Sequence, residues 1–191
     1  HTQLYSVDEI HKYRVLGRTI DDAAGEAFDK LAKMVGLPFP GGVAVDRLAR
    51  DGDPQAYAFP RPFIHEAHLN FSFSGLKTSA LRLIESLEKE EVEAKKADIC
   101  ASYQEAIVDV LISRLNRACE EADSGLVILT GGVSANSRLR SRAQEWAHKK
   151  GIQLMIPPLK YCTDNAAMIG LAGVLRLNRG ERSEQNLAPQ A

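Results

Sequence analysis

Residues 126–140, LVILTGGVSANSRLR, constrain this chain more than any other stretch. Leu126, Val127, Ile128 and Leu129 form a short apolar run of the kind found in strands buried on both faces of a parallel sheet. Gly131 and Gly132 end the run, and either Ser134 or Asn136 can cap the helix expected over residues 137–150. Gly151 closes that helix, and a second apolar run at 152–156, stopped by Pro157 and Pro158, supplies another strand. Strand, helix and strand in this order predict a parallel pair joined by a right-handed crossover. The glycine turn also has chemical potential. Glycine lacks a Cβ, so a ligand can approach the backbone closely, and a helix start aims free N–H groups at a phosphate or other polar group.

The remaining elements are read from punctuation and period. Strands over 2–7 and 13–16 make a hairpin-like opening. A helix follows in which Thr19, Asp21 and Asp22 supply the cap and first-turn acids. Ala24, Phe28, Leu31 and Val35 recur at helical spacing, and Gly36 with Pro38 ends it. Pro40, Gly41 and Gly42 form a second glycine turn ahead of a short helix over 43–50. Residues 51–69, with Pro54, Pro60 and Pro62, read as an ordered surface excursion, and 70–74 as a strand. An amphipathic helix is expected over 76–87, a solvated face or loop over 88–96 and a long helix over 99–122. Thr163 is expected to cap a helix over 164–177, whose Ala, Gly, Met, Ile and Leu content predicts that it is largely buried. Residues after Gly180 read as a frayed tail.

A chain of 191 residues, 45% hydrophobic and 26% charged, suits one globular unit or one large lobe of a bigger enzyme. Its net charge of −1 gives no overall footprint for nucleic acid or an anionic membrane, so an RNA contact has to be local or shared. No run has membrane-spanning length. Three cysteines without a C-x-x-C pair favour reduced thiols in a cytosolic setting. The chain opens at His1 rather than Met, directly before strand-like sequence, and is expected to be part of something longer.

Several residues have the chemistry of a site. Asp22, Glu26 and Asp29 share one helical face, as a solvated surface offset by Lys30 and Lys33 or as acceptors for a ligand's hydroxyl or amine groups. Ser74 and Lys77 match S-x-x-K, but no S-D-N or K-T-G accompanies them, so a helix start is the better reading than a nucleophile. His65 and His68 lie in the proline-rich excursion and read as surface histidines. Asp164 stands at the first turn of an apolar helix, where helix N–H groups, a metal or a ligand can satisfy its charge.

Six ordered segments carry a resemblance: HTQL at 1–4, TIDDAAGEAFDK at 19–30, PGG at 40–42, FSFSGLKT at 71–78, GGVSAN at 131–136 and CTDNAAMI at 162–169. Together they resemble the TsaD family, the tRNA N6-adenosine threonylcarbamoyltransferases, formerly called O-sialoglycoprotein endopeptidases. The resemblance runs from His1 to about residue 179. It implies an α/β chain with an actin-like, Hsp70-like and sugar-kinase-like (ASKHA) fold, a mixed sheet flanked by helices. Residues 1–180 would be the second, C-terminal lobe with its first strand truncated, and 181–191 a tail. It further implies transfer of the threonylcarbamoyl group from threonylcarbamoyl-adenylate to the adenosine beside the anticodon, in tRNAs reading codons that begin with A. The implied cofactor is one divalent metal, iron or zinc, held by Asp164 and by two histidines expected upstream of His1. His1, Asp29, Gly42 and Asn136 would contact the adenylate, an ATP-type nucleotide in the cleft, or its threonylcarbamoyl end. The implied partners are tRNA, a paralogous protein and a small ATPase, all in the cytoplasm and with no membrane. With the histidines absent, this chain alone is expected to bind no metal tightly and to be inactive. The alternatives are an actin-like-fold kinase or ATPase, and a non-catalytic scaffold lobe of the same complex.

Overall fold

A computed structural model of the chain describes residues 1–9 and 12–184. It opens with β1 (Gln3–Glu9) and β2 (Lys12–Arg18), an antiparallel hairpin that pairs Tyr5 with Val15 and Val7 with Tyr13. Two helices follow, α1 (Ala24–Met34) and α2 (Gly41–Leu48). Glycine is obligatory where they meet. A Cβ on Gly41 would stand 2.7 Å from the Asp29 Cα and from the Ala32 Cβ, so α2 starts against the flank of α1.

The excursion at 51–69 is ordered by polar ties. The Asp53 N–H donates to Asp98 Oδ1 at 2.8 Å, Arg61 pairs with Asp109 at 3.1 Å, and Arg114 donates to the carbonyls of Glu66 and His68. The expected strand at 70–74 is reduced to a single parallel bridge between Thr19 and Phe71. Phe71 and Phe73 are buried, but Ser72 between them is buried too, so the alternation does not mark an inward and an outward face.

Helix α3 (Ser74–Glu85) is capped from a distance. Its N-cap residue, Phe73, has no side-chain oxygen, and Asp21 supplies the acceptor instead, taking the N–H groups of Phe73 and Ser74 and both serine hydroxyls of Ser72 and Ser74. The charged run at 88–96 forms a helical turn, α4 (Lys89–Ala94), rather than a loop. Glu88 and Glu91 close a capping box around its start, and none of its residues is buried.

The long helix α5 (Lys96–Ala122) organises the interior. Its 27 residues span about 40 Å at 1.5 Å per residue. One side packs Ile99, Tyr103, Ala106 and Ile107 against Phe28, Leu31, Phe71, Phe73 and Leu76. Another side packs Val108 and Ile112 against Leu139 and Ala143. Each fully buried leucine, isoleucine or phenylalanine contributes about 1.5–3 kcal/mol relative to exposure. α5 is therefore shared by two clusters, one against α1 and α3 and the other against α6.

β3 (Leu126–Ile128), α6 (Ser137–Lys150) and β4 (Gln153–Met155) form the expected unit, and β3 pairs in parallel with β4. Burial of β3 on both faces does not hold: Val127 is buried, while Leu126 and Ile128 are exposed. The mixed α/β class stands, but among the described residues the strands form two separate two-stranded sheets instead of one. The second face of β3 stays open to solvent.

The last helix, α7 (Ala166–Asn178), also departs from expectation. It begins two residues later than predicted, and Asn165, not Thr163, caps it by accepting from the Met168 N–H at 3.1 Å. None of its residues is buried, and Ile169 and Leu171 are 68% and 62% exposed. An apolar composition asks for a covering surface but does not specify one, and no described element supplies it. Residues 181–184 are exposed and irregular; the rest of the expected tail, 185–191, lies outside the described residues.

Candidate functional site

The three carboxylates of the acidic face are separated by their partners. Lys30 reaches both Asp22 and Glu26 at 2.7 Å, which makes these two a surface ion-pair cluster. Asp29, one turn further along α1, turns to α2 instead. Its Oδ1 accepts from the Gly41 N–H at 2.9 Å and from the Gly42 N–H at 3.3 Å, so two unpaired donors of the α2 start are satisfied. Among the described residues its Oδ2 takes no hydrogen bond. Asp29 thus keeps an acceptor for a further donor beside the start of α2.

The two glycines of this start differ. Gly41 is sealed by α1, whereas a Cβ on Gly42 would meet only the Phe28 Cβ at an ordinary 3.8 Å. Packing requires the first glycine and leaves the second half-buried beside the exposed Phe39 and Val43.

One turn beyond Gly42 on the same helix lies Asp46, a buried acid in an otherwise apolar segment. Its Oδ1 accepts from the Ser137 N–H at 3.0 Å and the Ser137 hydroxyl at 2.8 Å, and its Oδ2 from Arg50 at 3.3 Å. This ties α2 to the start of α6. Asn136 occupies the N-cap of α6, as one of the two expected capping residues: its Oδ1 accepts from the Leu139 N–H at 2.9 Å. Ser134 serves the turn itself, donating its hydroxyl to the Gly131 carbonyl. Gly131 has φ of +90°, a conformation for which glycine carries little cost. The Asn136 amide nitrogen in turn donates to Gln104 Oε1 on α5 at 2.6 Å.

Asp29, Gly42 and Asn136 therefore lie on elements joined by an unbroken run of polar contacts: α1 to α2 through Asp29, α2 to α6 through Asp46, and α6 to α5 through Asn136. A cavity of about 290 Å³ opens beside this junction, lined by Arg50, Gln104, Glu105, Ser137, Arg138 and Ser141 among others. Glu105 is buried and held by Arg138 at 2.6 and 3.0 Å and by Arg142. Burial pushes its carboxyl upward, but Arg138, with Arg142 and Arg61, outweighs this and holds it below the ordinary glutamate value.

His1 and Asp164 are not drawn into this junction. His1 is exposed, and the adjacent Thr2 accepts from the Ala24 N–H at 2.9 Å, which sets the beginning of the chain at the start of α1. Asp164 is exposed in the irregular stretch before α7. The neighbouring Cys162 is buried, with Sγ 3.6 Å from Arg140. Among the described residues no group of three or more His, Cys, Asp or Glu side chains gathers as a metal site. A divalent ion of the kind expected needs three or four protein ligands, of which Asp164 would be one.

The other candidates have plain structural roles. Ser74 donates to Asp21 at 2.8 Å, which fits a helix start rather than an activated nucleophile. His65 and His68 are exposed, and His68 stands 2.9 Å from Glu66. Asp46 and Gln104 were missed in the sequence. Asp46 had a signal, an acid within GGVAVDRL on a face that must be buried, whereas Gln104 stands in the polar stretch SYQE of α5, which gave none.

A family model described as TsaD, tRNA N6-adenosine threonylcarbamoyltransferase, matches residues 1–171. Three curated relatives carry that same name. The protein from Bdellovibrio bacteriovorus is 61% identical over 189 residues, 99% of this chain and 55% of the relative. The protein from Anaeromyxobacter dehalogenans is 52% identical over 98% of this chain and 56% of its own length. That from Geobacter metallireducens is 49% identical over 94% and 53%. The chain spans about half the length of the curated relatives it matches.

Proposed function

This chain belongs to the TsaD family of tRNA N6-adenosine threonylcarbamoyltransferases, and on that premise we propose that it forms the C-terminal lobe, residues 1–180, of an enzyme that modifies tRNA. The reaction is transfer of a threonylcarbamoyl group from threonylcarbamoyl-adenylate to N6 of the adenosine beside the anticodon, in tRNAs that read codons beginning with A. The lobe belongs to the actin-like, Hsp70-like and sugar-kinase-like fold. The observation that carries this reading is the polar junction joining the elements of Asp29, Gly42 and Asn136, three residues that the family resemblance assigns to the donor.

The residues support specific tasks. Asp29 Oδ2 accepts a hydrogen bond from a hydroxyl of the nucleotide, because Oδ1 is already committed to α2. Gly42, which packing does not require, gives the nucleotide a surface without a side chain. The remaining Asn136 amide hydrogen orients the acyl end, and His1, which the family resemblance also assigns to the donor, adds a contact that the junction itself does not supply. With the donor held in line, the N6 amine attacks the carbamoyl carbon. The bond from that carbon to the adenylate oxygen breaks, adenosine monophosphate leaves with the electron pair, and the amine releases its proton. No covalent intermediate is needed, and Ser74 is occupied by Asp21.

Asp164 offers one carboxylate to a divalent ion, iron or zinc, whose other ligands lie outside this chain. Among the described residues no further ligands gather with Asp164, and on this reading the chain alone holds such an ion only weakly and is inactive. The near-neutral charge supports sharing of the tRNA contact with a paralogous protein and a small ATPase in the cytoplasm. No helix among the described residues is long and apolar enough to cross a membrane.

The test follows labelled threonine into tRNA with the full-length enzyme, the adenylate-forming enzyme and the partner proteins. Native protein should incorporate label. Asp29→Ala should raise KM for the adenylate about tenfold, the effect of one lost buried hydrogen bond. Absence of incorporation by the native protein, with ATP consumed against a small hydroxyl acceptor, would replace this reading with a kinase.

A further inference from the structure

We infer that Gln104 is a positioning residue for the donor site, acting through Asn136. The inference rests on the reading of Asn136 as a donor contact and names what holds it. A cap asparagine can present its amide in two senses, because oxygen and nitrogen occupy nearly the same space. Here the Oδ1 accepts from the Leu139 N–H at 2.9 Å, and the Nδ2 donates to Gln104 Oε1 at 2.6 Å. The first contact calls for oxygen on the helix side. The second satisfies the amide nitrogen, which would otherwise be left without a partner in a buried place.

Burial gives this pair its leverage. Gln104 is 5% exposed and Asn136 is 7% exposed. Gln104 also stands in the interior of a 27-residue helix whose neighbours Tyr103, Ala106 and Ile107 are fully packed. Its side chain therefore leaves a packed stretch of helix and meets the Asn136 amide, whose sense the Leu139 N–H sets. On the other flank of Asn136, Ser137 is fixed through both its N–H and its hydroxyl to Asp46. The turn can yield on neither side, and one Asn136 amide hydrogen remains to point at a ligand in a single direction. A glutamine at this depth has no packing reason, since a methionine would fill the same volume without a polar group to satisfy.

The experiment measures KM and kcat for threonylcarbamoyl-adenylate in the full-length enzyme with its partners and excess tRNA. It compares native protein, Gln104→Met, Gln104→Glu, Asn136→Ala and the Gln104→Met/Asn136→Ala double variant. Gln104→Met keeps the volume and removes the acceptor, and should raise KM about tenfold with kcat and Tm near native. Gln104→Glu keeps an acceptor oxygen and should restore KM to within about threefold. The double variant should be no worse than Asn136→Ala alone, because both act through one contact. The inference falls alone if Asn136→Ala raises KM while Gln104→Met does not, or if Gln104→Glu is as impaired as Gln104→Met. If Asn136→Ala leaves KM unchanged, the donor-site reading of Asn136 falls and takes the inference with it.

Discussion

Gly41 and Gly42 are adjacent and chemically identical, yet their surroundings predict opposite consequences. A Cβ on Gly41 would lie 2.8 Å from Asp29 Oδ1 and 2.7 Å from backbone and side-chain carbon of α1. Gly41→Ala should therefore destabilise the protein by about 1–3 kcal/mol, the usual cost of overpacking, visible as a lower denaturant midpoint. At Gly42 the space is open, and alanine in a helix is favoured over glycine by about 0.5–1 kcal/mol. Gly42→Ala should keep or slightly raise stability while increasing KM for the adenylate in the full-length enzyme. Equal loss of stability in both variants would show that the two positions are packed alike. The sequence PGG marked the turn, but only the packing distinguished the glycine that the fold needs from the one beside open space.

At the scale of the element, α3 depends on an acid far away in sequence. Asp21 provides the cap that Phe73 cannot, so Asp21→Ala should cost about 1–2 kcal/mol, as for loss of an N-cap side chain. The contribution is pH-dependent. Burial pushes the Asp21 carboxyl upward, but its hydrogen bonds from Ser72, Phe73 and Ser74 outweigh that and hold it below the ordinary aspartate value. A carboxyl lowered in the folded state stabilises fully above its unfolded value and loses that contribution as pH falls through the folded one. Denaturation of native protein and Asp21→Ala should accordingly differ at neutral pH and converge in acid, below about pH 3.9. A gap that persists at low pH would assign the effect to packing. The element-scale departures have a common origin. The period of α7 predicted a helix correctly, but burial is a relation between two surfaces, and no described element covers Ile169 or Leu171. The charged run at 88–96 closed a helical turn because Glu88 and Glu91 happened to stand three apart.

At the scale of the whole molecule, α5 is the common wall of both hydrophobic clusters and of the polar junction. Its Cys100 reports on the integrity of that wall. Burial raises the thiol to about 12, with only a minor opposing effect from Lys96. At pH 8 it should resist alkylation in the folded protein and react at the rate of a free thiol once denaturant opens the core, as mass spectrometry of labelled peptides would show. Fast labelling under native conditions would mean that α5 is not locked. The sequence by itself determined the order and type of most elements, the parallel pairing around the glycine turn, and membership in a family through six spaced motifs. These follow from local rules: period, capping, glycine and proline. Tertiary structure alone decided that Asp29 leaves its two neighbours to join α2, and that Asp46 and Gln104 close the junction around Asn136. It also left α7 and the outer face of β3 uncovered. The physical reason is range. Propensity acts within a few residues, whereas these contacts bring together groups 12, 32 and 91 positions apart, and which distant surface meets which is fixed only when the core closes around α5.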